Sequence, residues 1–306
     1  MNRVKDNILA TLAYFDLFKY PLTGGEIYLF MKERVAQADL DLSLKHLVAA
    51  QSVFQFGNFY ALHNDHQLIV RRYNGNKQAA EMIKTAARVG EILIRFPYVR
   101  GIAISGSLSK NYADENSDID LFIITAKNRL WIARTLMHTF KKLTFIVNKQ
   151  DYFCMNYYID EEQLQIKEKN FYTAIEVVTL IPLQGDTIIE HFYAANNWTR
   201  NYLPNKIMRL SSAKPLEISF FKWIVEKLLN NRVGNALDNL LMQITATRWG
   251  KKTEQKKLNA KGSIMAMDAA KHHAKPDPRN FQARLLAQYE SKILEMHIAP
   301  QNLLAN

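Results

Sequence analysis

The chain has 306 residues, 48% of them hydrophobic and 23% charged, which is enough to bury a core and to form two or three domains. No stretch approaches the roughly 20 apolar residues of a membrane span, so we predict no membrane partner. The lone Cys154 and the absence of a signal-peptide pattern favour a cytoplasmic protein. The formal net charge is +11, and residues 205–306 hold much of the excess, with 17 basic and 8 acidic side chains.

Residues 1–65 are predicted to form three helices followed by a β-hairpin. Thr23 and Glu26 have the spacing of a capping box, in which each side chain accepts a hydrogen bond from the backbone N–H of the other. Gly57-Asn58 separates two short apolar strands, which is a two-residue hairpin signal. This order of elements resembles a winged-helix module.

A winged helix can bind duplex DNA through its third helix, whose exposed face here would offer Ser43, Lys45 and His46. The module is nearly neutral, with six basic and seven acidic residues, whereas affinity for duplex comes largely from phosphate neutralisation. Duplex DNA binding is therefore not expected, and a docking or substrate-positioning role is favoured. Residues 66–98 follow as a predicted helical linker, with an expected break near Asn74-Gly75.

A Gly-Ser turn follows the first strand of the next segment. Residues 99–104 are predicted to form a strand, and residues 107–113 are predicted to begin a helix. Gly106 lets the backbone turn tightly and lets a ligand approach it closely. Ser107 can cap the helix, and the N–H groups at a helix start make an anion site. The pattern indicates a phosphate-binding turn.

Two carboxylates, Asp118 and Asp120, stand at the start of a second apolar strand. Residues two apart on a strand point to the same face, so these side chains are expected to lie side by side. Adjacent carboxylates repel each other unless a cation lies between them. Mg²⁺ bound to a triphosphate is the obvious candidate, because hard cations take oxygen ligands.

The turn and the acidic pair together resemble the signature of the DNA polymerase β-like nucleotidyltransferase superfamily. Ile104-Ser105-Gly106-Ser107 is separated by ten residues from Asp118-Ile119-Asp120-Leu121, and the likeness covers roughly residues 85–185. It implies an α+β fold with a small mixed sheet, a nucleoside triphosphate donor such as ATP, and a Mg²⁺ or Mn²⁺ cofactor on the two aspartates.

The same resemblance assigns roles to the turn. Gly106 and Ser107 would bind the β and γ phosphates, and Lys110, one turn into the predicted helix, could reach a phosphate. A third carboxylate usually stands on a neighbouring strand of such proteins, where it activates the acceptor hydroxyl.

This chain departs from the three-acid pattern. In the predicted strand over residues 152–159, the only polar interior residue is Asn156. Asn156 could fill the third position as a neutral ligand or substrate contact. Asp160, on the same face by parity, or Asp151 could serve instead, or the enzyme could use two acids. Glu176, within a predicted helix, could act near the nucleotide, although a position on the helix surface is favoured.

The catalytic domain is predicted to span residues 99–190, and residues 191–306 are predicted to form a helical, basic C-terminal region. Residues 248–261 carry six basic residues and one acid, a contact for nucleic acid or an acidic acceptor, or simply a solvated surface. Residues 272–278, with two histidines and two prolines, are expected to form a stiff loop. A zinc site is not expected there, because adjacent histidines do not share a face and no Cys completes the set.

These features predict a metal-dependent nucleotidyltransferase. It would move a nucleoside monophosphate from a nucleoside triphosphate to a hydroxyl of a small molecule, protein or nucleic acid and release pyrophosphate. Catalysis would come mainly from charge neutralisation and positioning. Two alternatives stay open: a non-catalytic winged-helix regulator that senses nucleotide, and an antitoxin-like binding protein with a vestigial site.

Overall fold

The computed structural model describes residues 2–144, 154–206, 211–255, 265–277 and 280–298, which form an α+β structure. The helices are α1 (Asn2–Asp16), α2 (Gly24–Phe30), α3 (Gln37–Ala49), α4 (Gln67–Leu93), α5 (Leu130–Thr144), α6 (Phe171–Thr179), α7 (Asp186–Ala195), α8 (Phe220–Leu229), α9 (Arg232–Glu254) and α10 (Phe281–Glu295). The strands are β1 (Leu22–Thr23), β2 (Phe54–Phe56), β3 (Phe59–Ala61), β4 (Val99–Ile104), β5 (Asp120–Thr125), β6 (Cys154–Asp160), β7 (Ile181–Gln184), β8 (Ala266–Ala269) and β9 (His273–Asp277). No helix in these ranges is both long and apolar enough to cross a bilayer.

The N-terminal elements run helix, strand, helix, helix, strand, strand, with a small antiparallel sheet in the order β1-β3-β2. The predicted capping box is confirmed at the start of α2, where the Glu26 N–H donates to Thr23 Oγ1 (3.2 Å) and the Thr23 N–H donates to Glu26 Oε2 (2.8 Å). The three helices and the hairpin are present, and the winged helix stays a prediction. Ser43 is buried rather than exposed, because its spacing from Leu40 and Leu47 places it on the inward face of α3.

The N-terminal helices share one hydrophobic core with elements from far along the chain. Tyr14 on α1 packs edge-on against Phe171 of α6 and against Tyr289 of α10, with ring centroids 5.2 and 5.5 Å apart. The Tyr289 hydroxyl also donates to the carbonyl of Ala10 (3.1 Å). The first sixty residues are therefore held against the middle and the end of the chain by buried aromatic contacts.

Helix α4 continues through Asn74 and Gly75, so the break expected there is absent. Gly75 faces the ring of Tyr112 so closely that a Cβ at this position would lie 2.3 Å from a ring carbon. The glycine in the helix is thus explained by close packing and not by a turn.

The main sheet has the strand order β7-β4-β5-β6-β9-β8. Strands β4 and β5 are antiparallel, whereas β5 and β6 run parallel and are joined by α5. The predicted strand over residues 99–104 is confirmed as β4. In this arrangement the end of β4 and the starts of β5 and β6 meet at one edge of the sheet.

The C-terminal region is not wholly helical as predicted, because it contributes the hairpin of β8 and β9 to the main sheet. The stretch expected to be a stiff loop is mostly strand β9, which pairs with β6 through His273 and Ala274. Pro276 is compatible with this strand because it lies beyond the two residues, His273 and Ala274, through which β9 pairs with β6. Residues 256–261 of the basic segment 248–261 lie outside the described residues.

Candidate active site

A cleft of about 780 Å³ opens at the edge of the sheet where β4 ends and β5 and β6 begin. The connection between α1 and α2 forms one wall, and α6, β9 and the start of α10 form others. The cleft brings together the candidate site residues named from the sequence: Gly106, Ser107, Lys110, Asp118, Asp120 and Asn156.

The turn after β4 lies directly against Asp120. The Ser105 N–H donates to the carbonyl of Asp120 (2.9 Å), which joins the turn to the start of β5. Gly106 has a φ of +67°, and a Cβ at this position would lie 2.4 Å from Asp120 Oδ2. Both the backbone conformation and the available space therefore require glycine.

The segment after the turn is shorter than predicted. Only a 3₁₀ turn forms, over Leu108–Lys110, and the Ser107 side chain makes no capping hydrogen bond. Asn111 ends it in the left-handed conformation (φ +59°), and the Ala113 N–H donates to the Gly75 carbonyl (3.2 Å), which draws the chain to α4. The expected helix N-terminus is therefore absent, although Ser107 still lines the cleft.

Asp118 and Asp120 differ in environment. Asp118 is exposed just before β5, whereas Asp120 is partly enclosed at the first position of the strand. The pKa of Asp120 is raised to about 6, mainly by burial. The charges of Asp118 and Glu176 contribute to this rise, whereas a thiol hydrogen bond from Cys154 and the Lys110 ammonium oppose it. A carboxylate so placed is stabilised by any cation that enters the cleft.

Strand β6 places a thiol, not a carboxylate, opposite Asp120. Cys154 is the β6 partner of Asp120 in the parallel ladder, and its burial raises the thiol pKa to about 12. The register shifts next to Asn156, so Met155 pairs with Leu121 and Tyr157 with Phe122. Asn156 therefore has no pairing partner on β5. It is exposed and lines the cleft, where its amide can contact a ligand.

Asp160 is not available as a third acid. It lies at the far end of β6, opposite Thr125, and it is fully buried. Its carboxylate accepts hydrogen bonds from the N–H groups of Asn128 (2.9 Å) and Glu162 (3.0 Å) and lies 3.0 Å from His272 Nδ1. These contacts assign it a structural role. Asp151 lies outside the described residues.

Glu176 supplies a further carboxylate to the cleft, where the sequence favoured a position on the helix surface. It lines the cleft from α6, and Oε1 forms an ion pair with Lys110 Nζ (2.7 Å), which also donates to the Gly106 carbonyl (3.0 Å). The other residues of α6 are apolar, aromatic or threonine. A single charge on such a buried helix was the signal that could have placed Glu176 in a site.

Tyr20, from the connection between α1 and α2, contacts the loop that joins β4 to β5 (residues 105–119, the signature loop). Its hydroxyl donates to the Lys110 carbonyl (2.5 Å), and its ring packs edge-on against Tyr112. Arg71 lies over the Tyr112 ring, 4.5 Å from the centroid, and donates to the Phe18 carbonyl (2.8 Å). The N-terminal elements therefore build part of the candidate active site.

The residues present fit a hard divalent cation. Within the described ranges, no group of three or more His, Cys, Asp and Glu side chains is placed to hold a metal ion. Asp118 and Asp120 nevertheless offer carboxylate oxygens, and Mg²⁺ commonly binds through one or two carboxylates together with substrate phosphates and water. The Ser105 hydroxyl is buried in the wall of the cleft without a hydrogen-bond partner in the described part of the chain, so a ligand can use it.

Comparisons with known proteins support this location. Residues 88–182 match the family model described as "Nucleotidyltransferase domain". No curated protein and no solved structure matches the chain. The matched segment contains β4, β5, β6 and α6, and with them the turn, the acidic pair and Glu176. Residues 88–182 are therefore a nucleotidyltransferase domain, and they point to a transferase.

Proposed function

We propose that the protein is a metal-dependent nucleotidyltransferase that moves a nucleoside monophosphate from a nucleoside triphosphate to a hydroxyl acceptor. The proposal rests on one observation above all: the Gly106 turn lies in contact with Asp120, beside Asp118, in a cleft of the nucleotidyltransferase domain. A phosphate-binding turn and a pair of cation ligands thus face the same space.

In the proposed reaction the acceptor oxygen forms a bond with the α-phosphorus, the bond from that phosphorus to the bridging oxygen of the β-phosphate breaks, and pyrophosphate leaves. Asp118 and Asp120 would hold Mg²⁺ or Mn²⁺, which neutralises phosphate charge when bound. The acceptor proton passes to a carboxylate of the cleft. Asn156 cannot take that proton, so its amide is assigned to ligand contact.

Lys110 and the turn would position the triphosphate. The Lys110 ammonium lies 3.0 Å from the Gly106 carbonyl and therefore already stands at the turn. Gly106 and Ser107 allow the phosphates to approach the backbone closely, since neither places a large side chain there. Rate enhancement would come mainly from this positioning and from charge neutralisation.

Binding of ATP, GTP, CTP and UTP, with and without Mg²⁺, tests the proposal. Wild type should bind at least one of them in a Mg²⁺-dependent way, and an Asp118→Asn/Asp120→Asn variant should lose that binding. An Asp39→Asn/Asp41→Asn variant is the matched control, because it removes an exposed Asp-x-Asp pair from α3. Equal binding by wild type and the site variant would exclude this mechanism.

Release of pyrophosphate then separates transfer from sensing. One observation favours the alternative of a nucleotide sensor: in the described part of β6, the residue opposite Asp120 is Cys154 and not an acidic residue. Metal-dependent binding without pyrophosphate release, across candidate hydroxyl acceptors, would favour a nucleotide-sensing regulator over an enzyme.

A further inference from the structure

Helix α8 exposes four bulky apolar side chains and buries the charged side chains of Lys222 and Glu226, the reverse of an ordinary surface helix. Phe220, Phe221 and Trp223 are 75%, 65% and 49% exposed, and Leu228 is 66% exposed. Aromatic side chains have roughly 150–250 Å² each, so these three rings alone expose several hundred Å². That area is comparable to the largest apolar patch of a typical monomer, which is often a functional surface.

Hydrogen bonds on the inner face of α8 keep it in this orientation. The Lys222 ammonium is fully buried and donates to the carbonyls of Ile94 (2.9 Å) and Val99. Glu226 accepts from the Tyr98 N–H (2.7 Å) and pairs with the Arg100 guanidinium (2.7 Å). Rolling α8 to cover its aromatic rings would strip these buried charges of their partners, so the apolar face stays outward.

Helix α9 also exposes apolar side chains. Val233, Leu240 and Ile244 are exposed and lie seven and four positions apart, which places them in one stripe along the helix. Helices α8 and α9 pack against each other, so the stripe and the aromatic rings belong to neighbouring elements.

The charges around this face are mostly positive. Among exposed charged residues from 217 to 255, five are cations and two are acids. The cations are Lys227, Arg232, Arg248, Lys251 and Lys252, and the acids are Glu217 and Glu254. The Lys227 ammonium lies 4.8 Å from the centre of the Trp223 ring, so positive charge and aromatic surface are interleaved.

We infer that the α8–α9 face binds an anionic lipid surface, with Phe220, Phe221 and Trp223 in the interface and the lysines and arginines among the headgroups. Helices that lie in a membrane interface typically combine aromatic side chains with basic ones. A second copy of the chain fits less well, because a symmetric contact would bring two copies of the same mostly positive face together. The sequence-based expectation of no membrane partner rested on spanning segments, a criterion that does not test surface binding.

The position of α8 is compatible with activity at such a surface. Lys222 and Tyr98 anchor α8 beside Val99, where β4 begins, whereas the cleft lies beyond Ile104, where β4 ends. A six-residue strand spans about 20 Å, so the proposed lipid contact and the nucleotide cleft lie at opposite ends of β4. The inference does not depend on the proposed chemistry.

Flotation of the full chain with lipid vesicles tests the inference. The protein should float with phosphatidylcholine–phosphatidylserine vesicles, float less with phosphatidylcholine alone, and bind less as salt rises. A Phe220→Ser/Trp223→Ser variant should bind the mixed vesicles at least about tenfold more weakly, because two exposed rings no longer enter the interface. A Lys227→Glu/Arg232→Glu variant should lose the preference for phosphatidylserine.

Matched variants elsewhere provide the controls. Leu294→Ser removes an apolar side chain of similar exposure from α10, and Lys77→Glu/Lys84→Glu makes the same charge change on α4. Both should bind vesicles like wild type, and all variants should keep the wild-type circular dichroism spectrum. No binding to mixed vesicles, or full binding by the aromatic variant, would overturn the inference. So would a dimer in sedimentation that the aromatic substitutions dissociate, since it would make this face an interface between copies.

Discussion

The carboxyl of Asp120 is protonated more readily than that of an ordinary aspartate, which affects stability as well as metal binding. Its pKa is about 6 in the folded chain, against 3.8 for the reference aspartate, mainly because of burial. Ionisation above that pH therefore costs the folded state free energy, whereas below pH 3.8 both states are protonated and no cost arises.

Asp120→Asn should for that reason stabilise the metal-free protein at pH 8, by at most about 3 kcal/mol, and leave it unchanged near pH 3.5. Unfolding by urea with a chelator present, at both pH values, measures the difference. Asp118→Asn is the control, since Asp118 is exposed and should show a smaller pH-dependent gain. An equal gain at both pH values would mean that ionisation of Asp120 is not the cause.

Lys110 and Glu176 form an ion pair inside the cleft, so the charge on Glu176 competes with phosphate for the same ammonium. Glu176→Gln should tighten triphosphate binding by roughly two- to tenfold, because it frees Lys110 and removes one negative charge. The gain should be smaller when Lys110→Met is also present. Titration of ATP into the four proteins of this double-mutant cycle measures the coupling, and equal gains in both backgrounds would contradict a role for Lys110.

The sequence predicts which residues belong to the candidate site when they lie close together in the chain. It does not predict the residues that reach the site from distant elements. Gly106, Asp118 and Asp120 could be assigned to one site because they stand close together around two adjacent strands. Glu176 and Tyr20 could not, because they reach the cleft from α6 and from the start of the chain. Cys154 could not be placed in the site from the sequence either, because a register shift in β6 decides which side chain stands opposite Asp120.

At the scale of elements, the connection between α1 and α2 acts on the signature loop through Tyr20. Tyr20→Phe removes the hydrogen bond to the Lys110 carbonyl and keeps the ring over Arg72. We expect triphosphate binding to weaken about three- to tenfold, since a hydrogen bond contributes about 1 kcal/mol, with little change in melting temperature. Tyr60→Phe, in the same N-terminal elements and outside the cleft, should bind ATP like wild type. Unchanged binding by Tyr20→Phe would show that the loop needs no support from this side.

The elements also show where sequence patterns are ambiguous. Pro276 lies within strand β9 and Pro278 follows it in the sequence, and both prolines favour a turn. The segment forms a strand because it pairs with β6 and β8. Strand propensity depends strongly on such partners, which one sequence does not show. Helix α4, by contrast, has helical spacing over its whole length, and only the packing of Tyr112 explains Gly75 within it.

At the scale of the molecule, the N-terminal elements and the nucleotidyltransferase domain should unfold together, because Tyr14 packs on both Phe171 and Tyr289. Tyr14→Ala should destabilise the protein by about 3–5 kcal/mol, and the Tyr73→Ala control, at an exposed position, by less than 1 kcal/mol. Urea unfolding followed by circular dichroism and by ATP binding measures both. If the N-terminal helices melt first and ATP binding survives, the two parts are independent units.

The contact between α1 and α10 also has a consequence for biosynthesis. The Tyr289 hydroxyl and the Ala10 carbonyl are 279 positions apart, so a ribosome that adds about 5–20 residues per second needs roughly 15–55 s between the two. During that interval the inner face of α1 is without one of its native partners, and Phe15 and Tyr14 are candidates for binding by a chaperone. A nascent chain stalled before α10 should accordingly be far more sensitive to proteolysis than the released protein, even though its nucleotidyltransferase domain is already translated.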